Sequence, residues 1–302
     1  MNPLNIKRIS LPIIIDQFPL NDQYLKIYTE GRPDIIQNTD IFFENCRSLM
    51  LPPEYKFFNL FKENEIIKPE TILICPIYLE IFERCNQPVL KVIEFLSKKF
   101  FPNRIIFQWN HDIDFADKYS EASNFENAYI INFNTSKPLK NDIIVPFWAI
   151  NTDFIPQNKS IFACFLGSIN NSLRNNLVNT IYRKENYHYI SGVPLKDFLP
   201  RCIFSFCPKG QGLNSYRFYE CFHLNTIPVL IADKSFLPFQ DKINYNEICV
   251  RIPESKATDF EFIDKTLKNV DSEKMLQSIN DKKINFTLYG VQTEIYNKLC
   301  QN

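Results

Sequence analysis

Short runs of apolar residues alternate along the chain with stretches of helical periodicity. In the first half, buried strands are predicted at 71–79, 104–109, 127–133 and 142–147. The segment 88–100 has apolar residues at helical spacing and lysines in its last turn, which predicts an amphipathic helix. Strands that alternate with helices favour a mostly parallel α/β sheet.

The second half repeats this pattern after a polar, aperiodic stretch at 149–160, where we place a domain boundary. Strands are predicted at 160–168, 187–190, 202–208 and 227–233, helices at 172–183 and 215–224, and two further helices within 271–300. The chain is thus predicted to be an α/β protein with two halves of similar size. Ligands of such architectures lie at the carboxyl ends of the strands, often in the cleft between domains.

Composition excludes several classes of function. The 302 residues carry 34 basic and 34 acidic side chains, so a general nucleic-acid-binding role is not expected. The apolar stretch near the N-terminus is too short for a membrane span, and no other segment reaches eighteen apolar residues. The nine cysteines form no CxxC pair and no zinc-type spacing with the three histidines. We expect reduced thiols in a cytoplasmic protein without metal.

The segment 202–239 carries the candidate chemistry. A buried strand ends at Pro208, a loop with Lys209 and Gly210 follows, and a helix is predicted to begin near Ser215. A helix N-terminus favours phosphate because it presents free N–H groups and the positive end of the dipole. Arg217 and Glu220 share one face of this helix. The pattern indicates a nucleotide-diphosphate site, with an ordinary surface Arg–Glu pair as the alternative.

The same segment resembles the C-terminal signature of the exostosin-type enzymes, glycosyltransferase family 47. The matching residues, in the family's order and spacing, are Cys207-Pro208-Lys209-Gly210, Ser215, Arg217, Glu220, Ile227-Pro228-Val229 and Leu237-Pro238-Phe239. Upstream, FLGSINNSLR is similar to the family's F-x-G element followed by arginine, which selects Gly167 and Arg174. The family has Gly-Cys where this chain has Asn225-Thr226, and Asn is the next best residue after Gly for a left-handed helix end.

The resemblance implies a GT-B fold, in which two Rossmann-like α/β/α domains face each other across a cleft. It places an acceptor-binding domain at 1–152, a nucleotide-sugar-binding domain at 153–280 and a C-terminal helix at 281–302 that crosses back. It also implies an inverting enzyme that uses a UDP-sugar of the UDP-xylose, UDP-glucuronate or UDP-galactose type, a glycan acceptor and no required cofactor. Donor contacts would come from Gly167, Arg174, Lys209, Gly210, Ser215, Arg217 and Glu220, and Tyr216 could stack on the base.

An inverting transfer needs a general base for the acceptor hydroxyl. The candidates are His111, Asp112 and Asp114, which follow a predicted strand and would reach the cleft from the first domain. The alternative is that these residues cap the next turn or helix. Asp112 and Asp114 also spell a D-x-D pattern, which can chelate a hard cation. We leave metal ligands unassigned.

Two other functions stay open at this point. One is a glycosyltransferase that uses GDP-fucose or another GDP-sugar. The other is a catalytically inactive module that binds nucleotide-sugars or glycans. With no membrane segment seen, the sequence suits a cytoplasmic enzyme of a bacterium or of a virus-infected cell.

Overall fold

The protein is represented by a computed structural model. The structure describes residues 6–9, 13–14, 16–19, 67–69, 71–75, 79–109, 114–133, 135–146, 157–210 and 212–300. This part of the chain contains two parallel sheets of five strands each, one after the other in the sequence. No helix among these residues has the length and apolar character to cross a membrane.

The first sheet has the strand order β1-β2-β3-β4-β5, and every pair is parallel. Its strands are β1 (Ile6–Arg8), β2 (Ile72–Ile74), β3 (Ile105–Trp109), β4 (Ala128–Asn132) and β5 (Asp142–Ile144). All residues of β2 to β5 are buried, which explains their continuous apolar sequences. The predicted strand at 71–79 is too long, because a helix already begins at Leu79.

The described residues of the first half include the helices α1 (Leu79–Arg84), α2 (Val89–Lys99) and the short α3 (Phe115–Lys118). Helix α2 buries Val92, Ile93 and Leu96 on one face and ends on lysines, as its periodicity predicts. It packs in one apolar cluster with Leu73, Ile105 and Phe107 of the sheet.

The second sheet has the order β10-β9-β8-β6-β7, again all parallel. Its strands are β6 (Ile161–Leu166), β7 (Tyr187–Ile190), β8 (Cys202–Pro208), β9 (Ile227–Ile231) and β10 (Val250–Arg251). The helices of this half are α4 (Ser172–Ile181), α5 (Leu195–Phe198), α6 (Tyr216–His223), α7 (Phe260–Lys268) and α8 (Ser272–Lys282). Strand β8 lies in the centre, so its carboxyl end is the middle of the sheet edge.

The last helix, α9 (Leu288–Cys300), returns to the first half. Its Val291, Ile295 and Leu299 are buried in a cluster that also contains Ile74, Ile106 and Ile131 of the first sheet and much of the second half. The Arg104 guanidinium donates to the carbonyl oxygen of Leu299. One face of the first sheet therefore packs on its own helices and the other on α9. The boundary at 152 lies outside the described residues and that at 280 falls within α8 (Ser272–Lys282), so both stay predictions.

Seven cysteines of the described ranges, all except Cys300, are free thiols, and six of these seven are buried. Cys207 of β8 and Cys221 of α6 lie with their Sγ atoms 3.9 Å apart. Burial raises the pKa of the Cys207 thiol well above its ordinary value, so the thiol is unreactive.

Asp142 is a buried carboxyl at the start of β5, only 6% exposed. Its Oδ2 accepts a 3.0 Å hydrogen bond from the backbone N–H of Leu139. Burial raises the pKa of Asp142 to about 6, although this hydrogen bond and the Asn132 side chain act in the opposite direction. The folded protein therefore binds this proton more tightly than the unfolded chain, and stability falls as pH rises from about 4 to 6.

Asp142→Asn is expected to raise the free energy of unfolding by about 1–2 kcal/mol at pH 8. Asn keeps an acceptor for Leu139 and removes the buried charge. The gain should shrink as pH falls through about 6 and be lost below about pH 3, where the wild-type carboxyl is protonated in both states. Urea unfolding at several pH values measures it, and Asp241→Asn, at an exposed carboxylate, controls for net charge. A gain that does not depend on pH would contradict this account.

Candidate functional site

The site is built on the strand–loop–helix unit β8–α6. Strand β8 ends at Pro208, and the next helix begins after Ser215, its N-cap. Ser215 has extended backbone angles, and its hydroxyl makes no capping hydrogen bond. Phe218 and Phe222 of α6 are buried against the sheet, while Tyr216 is 54% exposed beside the loop. The sequence pattern therefore produces a helix whose N-terminus opens at the centre of the sheet edge.

Arg217 and Glu220 face each other on the first turns of α6. Arg217 Nη1 lies 3.0 Å from Glu220 Oε2, with side-chain exposures of 16% and 22%. Arg217 Nε donates to the carbonyl oxygen of Leu166, the last residue of β6, at 3.1 Å. The Nη1 group is buried and makes no hydrogen bond, so its contact with Glu220 is an ion pair only. The pair is thus held at the carboxyl ends of β6 and β8, unlike a freely exposed surface pair.

Arg174 contacts the same edge from helix α4. Its Nε donates to the carbonyl oxygen of Lys209 at 3.2 Å, Nη1 to that of Ser168 at 3.1 Å, and Nη2 to that of Pro208 at 3.4 Å. The guanidinium also lies over the Phe165 ring, 5.9 Å from its centre. Burial lowers the pKa of Arg174, and the nearby Arg217 acts in the same direction. Arg174 therefore ties the ends of β6 and β8 together.

The glycines of the motif make room for these side chains. A Cβ at Gly210 would lie 3.2 Å from Arg174 Nη2, which is tighter than ordinary contact. A Cβ at Gly167 would lie 3.3 Å from the Phe165 ring. Asn171, the N-cap of α4, donates from Nδ2 to the carbonyl oxygen of Gly210 at 3.0 Å. The loop therefore lies directly against Arg174 and Asn171.

Asp233, which ends the apolar run after α6, and Glu254, which the sequence did not single out, complete the edge. Lys209 Nζ lies 2.6 Å from Glu254 Oε2. Glu254 Oε1 accepts from the backbone N–H of Asp233 at 3.0 Å, and Asp233 Oδ1 accepts from that of Glu254 at 2.9 Å. Asp233 and Glu254 follow β9 and β10, so the contact depends on the order of the strands. Sequence spacing alone gives no signal for it.

The loop itself is fixed through Asn214, which is 6% exposed. Asn214 Nδ2 donates to the hydroxyl oxygen of Tyr219 at 2.9 Å. Asn214 Oδ1 accepts from the Ser235 hydroxyl at 3.4 Å. These bonds join the loop between β8 and α6 to α6 itself and to the segment after β9.

Asp114 is the N-cap of α3 and accepts hydrogen bonds on both oxygens. The backbone N–H of Ala116 donates to Oδ1 at 3.2 Å, and that of Ser136 donates to Oδ2 at 2.9 Å. Thr135 Oγ1 also lies 3.2 Å from Oδ1. This geometry favours the capping interpretation for Asp114. His111 and Asp112 lie outside the described residues, and the assignment of the base stays a prediction.

The carbonyl oxygen of Thr135 accepts a 2.9 Å hydrogen bond from the backbone N–H of Phe236. The turn that Asp114 holds therefore contacts the second half beside the loop at Asn214. Over the described ranges, no group of three or more His, Cys, Asp or Glu side chains is arranged to hold a metal ion.

Comparison with known families identifies this architecture. The model of the exostosin GT47 domain matches residues 98–267, more than half of the 302-residue chain. The chain belongs to the exostosin GT47 family. The family predicted from the motifs is confirmed, and it is a family of glycosyltransferases.

Curated relatives of this GT47 domain are animal and plant proteins. The Exostosin-1 homolog of Caenorhabditis elegans is 33% identical over 61 residues, which is 20% of this chain and 16% of that protein. Exostosin-1 of Mus musculus is 29% identical over 98 residues, 32% of this chain and 12% of that protein. A probable glucuronosyltransferase of Oryza sativa is 35% identical over 79 residues, 26% and 18% respectively. The chain thus spans under a fifth of these relatives, and their activities do not transfer to it by this likeness.

Solved structures agree on the fold. The lipopolysaccharide outer core galactosyltransferase WaaB has a TM-score of 0.51 at 9% identity, over 98% of this chain and 99% of that chain. Anabaena HepE has a TM-score of 0.50 at 7% identity, over 99% and 100%. At such identities the likeness shows the fold alone, and that fold is GT-B. The expected pair of Rossmann-like halves is confirmed.

The role of Asp114 as a cap can be tested by a double-mutant cycle with Thr135. Asp114→Ala is expected to cost about 1–2 kcal/mol of stability, because three groups lose an acceptor. Thr135→Val should be coupled to it by about 0.5–1 kcal/mol, measured by urea unfolding of both single variants and the double variant. Asp117→Ala, an exposed carboxylate on the same helix, is the control. Unchanged stability of Asp114→Ala would contradict the capping role.

Proposed function

We propose that this GT47 domain is an inverting, metal-independent glycosyltransferase that transfers a sugar from a UDP-sugar to a glycan acceptor. The observation that carries the proposal is the Arg217–Glu220 pair at the N-terminus of α6, held at the carboxyl ends of β6 and β8. HepE, which shares the fold, was solved in complex with UDP. UDP-xylose, UDP-glucuronate and UDP-galactose are the donor types to try first.

The cations at this edge would stabilise the leaving group. Charge grows on the diphosphate when the bond to the anomeric carbon breaks, and fixed donors stabilise it best. The N–H groups of α6, the Ser215 hydroxyl, Lys209 and Arg217 are the donors available. Arg174 would act mainly by fixing the loop, since three of its N–H groups are bound to backbone carbonyls.

Glu220 would bind the ribose hydroxyls. Its Oε2 faces Arg217, and no hydrogen bond from the described residues reaches Oε1. A carboxylate that is fixed by an ion pair on one oxygen can accept from a hydroxyl on the other. Tyr216, half exposed next to the loop, is placed for stacking on the base.

For the general base we favour Asp112, with His111 as the second candidate. Asp114 is less suited, since its two oxygens already accept hydrogen bonds within the protein. The base would take the proton of the acceptor hydroxyl while that oxygen attacks the anomeric carbon from the side opposite to UDP, which inverts the configuration. A cytoplasmic location in a bacterium or a virus-infected cell stays a prediction.

Nucleotide binding is tested by thermal unfolding with UDP, GDP, CMP and a panel of UDP-sugars, with and without EDTA. A ligand at a hundred times its Kd should stabilise the fold by about 2.7 kcal/mol. We expect UDP compounds to stabilise the protein, and EDTA to change nothing. Stronger stabilisation by GDP would favour the GDP-sugar alternative. EDTA sensitivity would contradict metal independence, and no shift with any nucleotide would contradict the donor site.

Arg217→Ala and Glu220→Ala are each expected to weaken UDP binding at least tenfold, because a charge-assisted contact is worth about 1.5–3 kcal/mol. Calorimetric titration with UDP measures this, and circular dichroism checks folding. Lys268→Ala is the control, because it removes a remote ion pair with Asp264, one helical turn away. UDP-sugar turnover, with the product anomer read by NMR, separates an inverting enzyme from a binding module. Normal UDP affinity in both folded variants would overturn the assignment.

A further inference from the structure

Lys209 has a fixed main chain and a movable side chain. Its backbone N–H donates to the carbonyl oxygen of Ile231 at 3.1 Å, and its own carbonyl oxygen accepts from Arg174 Nε and from Asn171 Nδ2. The side chain is 36% exposed and reaches Glu254 at 2.6 Å. A lysine has four rotatable bonds and three equivalent donors, so its ammonium can turn to a new partner without moving the loop.

Glu254 is the fixed member of this pair. The two reciprocal hydrogen bonds with Asp233, at 3.0 and 2.9 Å, hold both its Oε1 and its backbone N–H. Its side chain is 21% exposed. The carboxylate therefore stays where it is, at the edge of the strands, when Lys209 turns away.

The charges at this edge are already matched. Lys209 faces Glu254, Arg217 faces Glu220, and Arg174 faces three backbone carbonyls. Glu220 lies on the same helix as Arg217, one turn away, whereas Glu254 reaches Lys209 from a separate loop. An entering diphosphate must therefore compete with Glu254 for the ammonium of Lys209.

We propose that Glu254 is an internal counter-ion that competes with the diphosphate of the nucleotide for Lys209. The inference rests on the proposed function, since it takes the loop after β8 as the diphosphate site. In the empty site Glu254 neutralises Lys209, and in the loaded site the ammonium turns to the phosphates. The competition weakens binding of the diphosphate and leaves binding of the nucleoside unchanged, so it favours release of the nucleotide product.

The experiment compares UDP and uridine by calorimetric titration on the full chain. Glu254→Gln removes the charge and keeps an oxygen that accepts from Asp233. We expect it to bind UDP about three- to fivefold tighter, the size of a partly exposed ion pair, and uridine with unchanged affinity. Glu247→Gln, which removes the partner of Lys282 elsewhere in the same half, controls for net charge. Lys209→Ala should abolish the gain when it is combined with Glu254→Gln.

The outcomes distinguish a counter-ion role of Glu254 from an orienting role and from a structural role. Equal or weaker UDP binding by a folded Glu254→Gln would overturn the counter-ion and indicate that Glu254 orients Lys209 toward the phosphates. A loss shared by UDP and uridine would indicate a structural role only. Glu254→Asp, which keeps the charge and shortens the side chain, serves if the Gln variant does not fold, and it should bind UDP tighter than the wild type. Failure of the wild-type protein to bind UDP would count against the proposed function itself.

Discussion

The contact of Arg174 with three backbone carbonyls is the interaction on which the site depends. The half-buried guanidinium satisfies the carbonyl groups of Ser168, Pro208 and Lys209 together, near the ends of β6 and β8. Without it these acceptors and the loop between them would have to find other donors. The close approach also explains why position 210 is glycine, since any Cβ there would press on the guanidinium.

The contact of Arg174 with these carbonyl groups determines where the other charged side chains of the site lie. With the path of the loop fixed, Lys209 projects from a rigid main chain, and α6 begins at a defined place at the sheet edge. Donors that are fixed before a ligand arrives stabilise charge better than donors that must first be ordered. The ion pair of Arg217 with Glu220 supplies this order, and the ion pairs of Arg217 and Lys209 with carboxylates both lower the net positive charge that a diphosphate meets.

Much of the fold could be predicted from the sequence because its central strands are buried on both faces and read as continuous apolar runs. Strands β1 and β10 could not, since they have three and two residues and pair with partners far along the chain. The left-handed helix end expected at Asn225 is present, with φ of 51°. The Lys209–Glu254 contact needed the strand order, which no local pattern contains. For Asp114 the sequence left two roles open, and only the hydrogen bonds distinguish them.

The segment 235–239 shows how a family motif can act between the two halves rather than on a ligand. The backbone N–H of Phe236 donates to the carbonyl oxygen of Thr135 in the first half, and the Ser235 hydroxyl donates to Asn214 of the loop. Leu237 is fully buried, and Phe239 is held at φ of 58°, a conformation that costs an aromatic residue energy and persists only where packing fixes it. Phe239 packs on Phe286, just before α9, and this contact is part of the packing that holds its backbone. Within the described residues, α9 and this segment both join the two halves, and Ser235 of the segment also contacts Asn214, which holds the loop. The hydrogen bonds of Asp114 with Thr135, of Thr135 with Phe236 and of Ser235 with Asn214 thus link the turn of the first half to the loop.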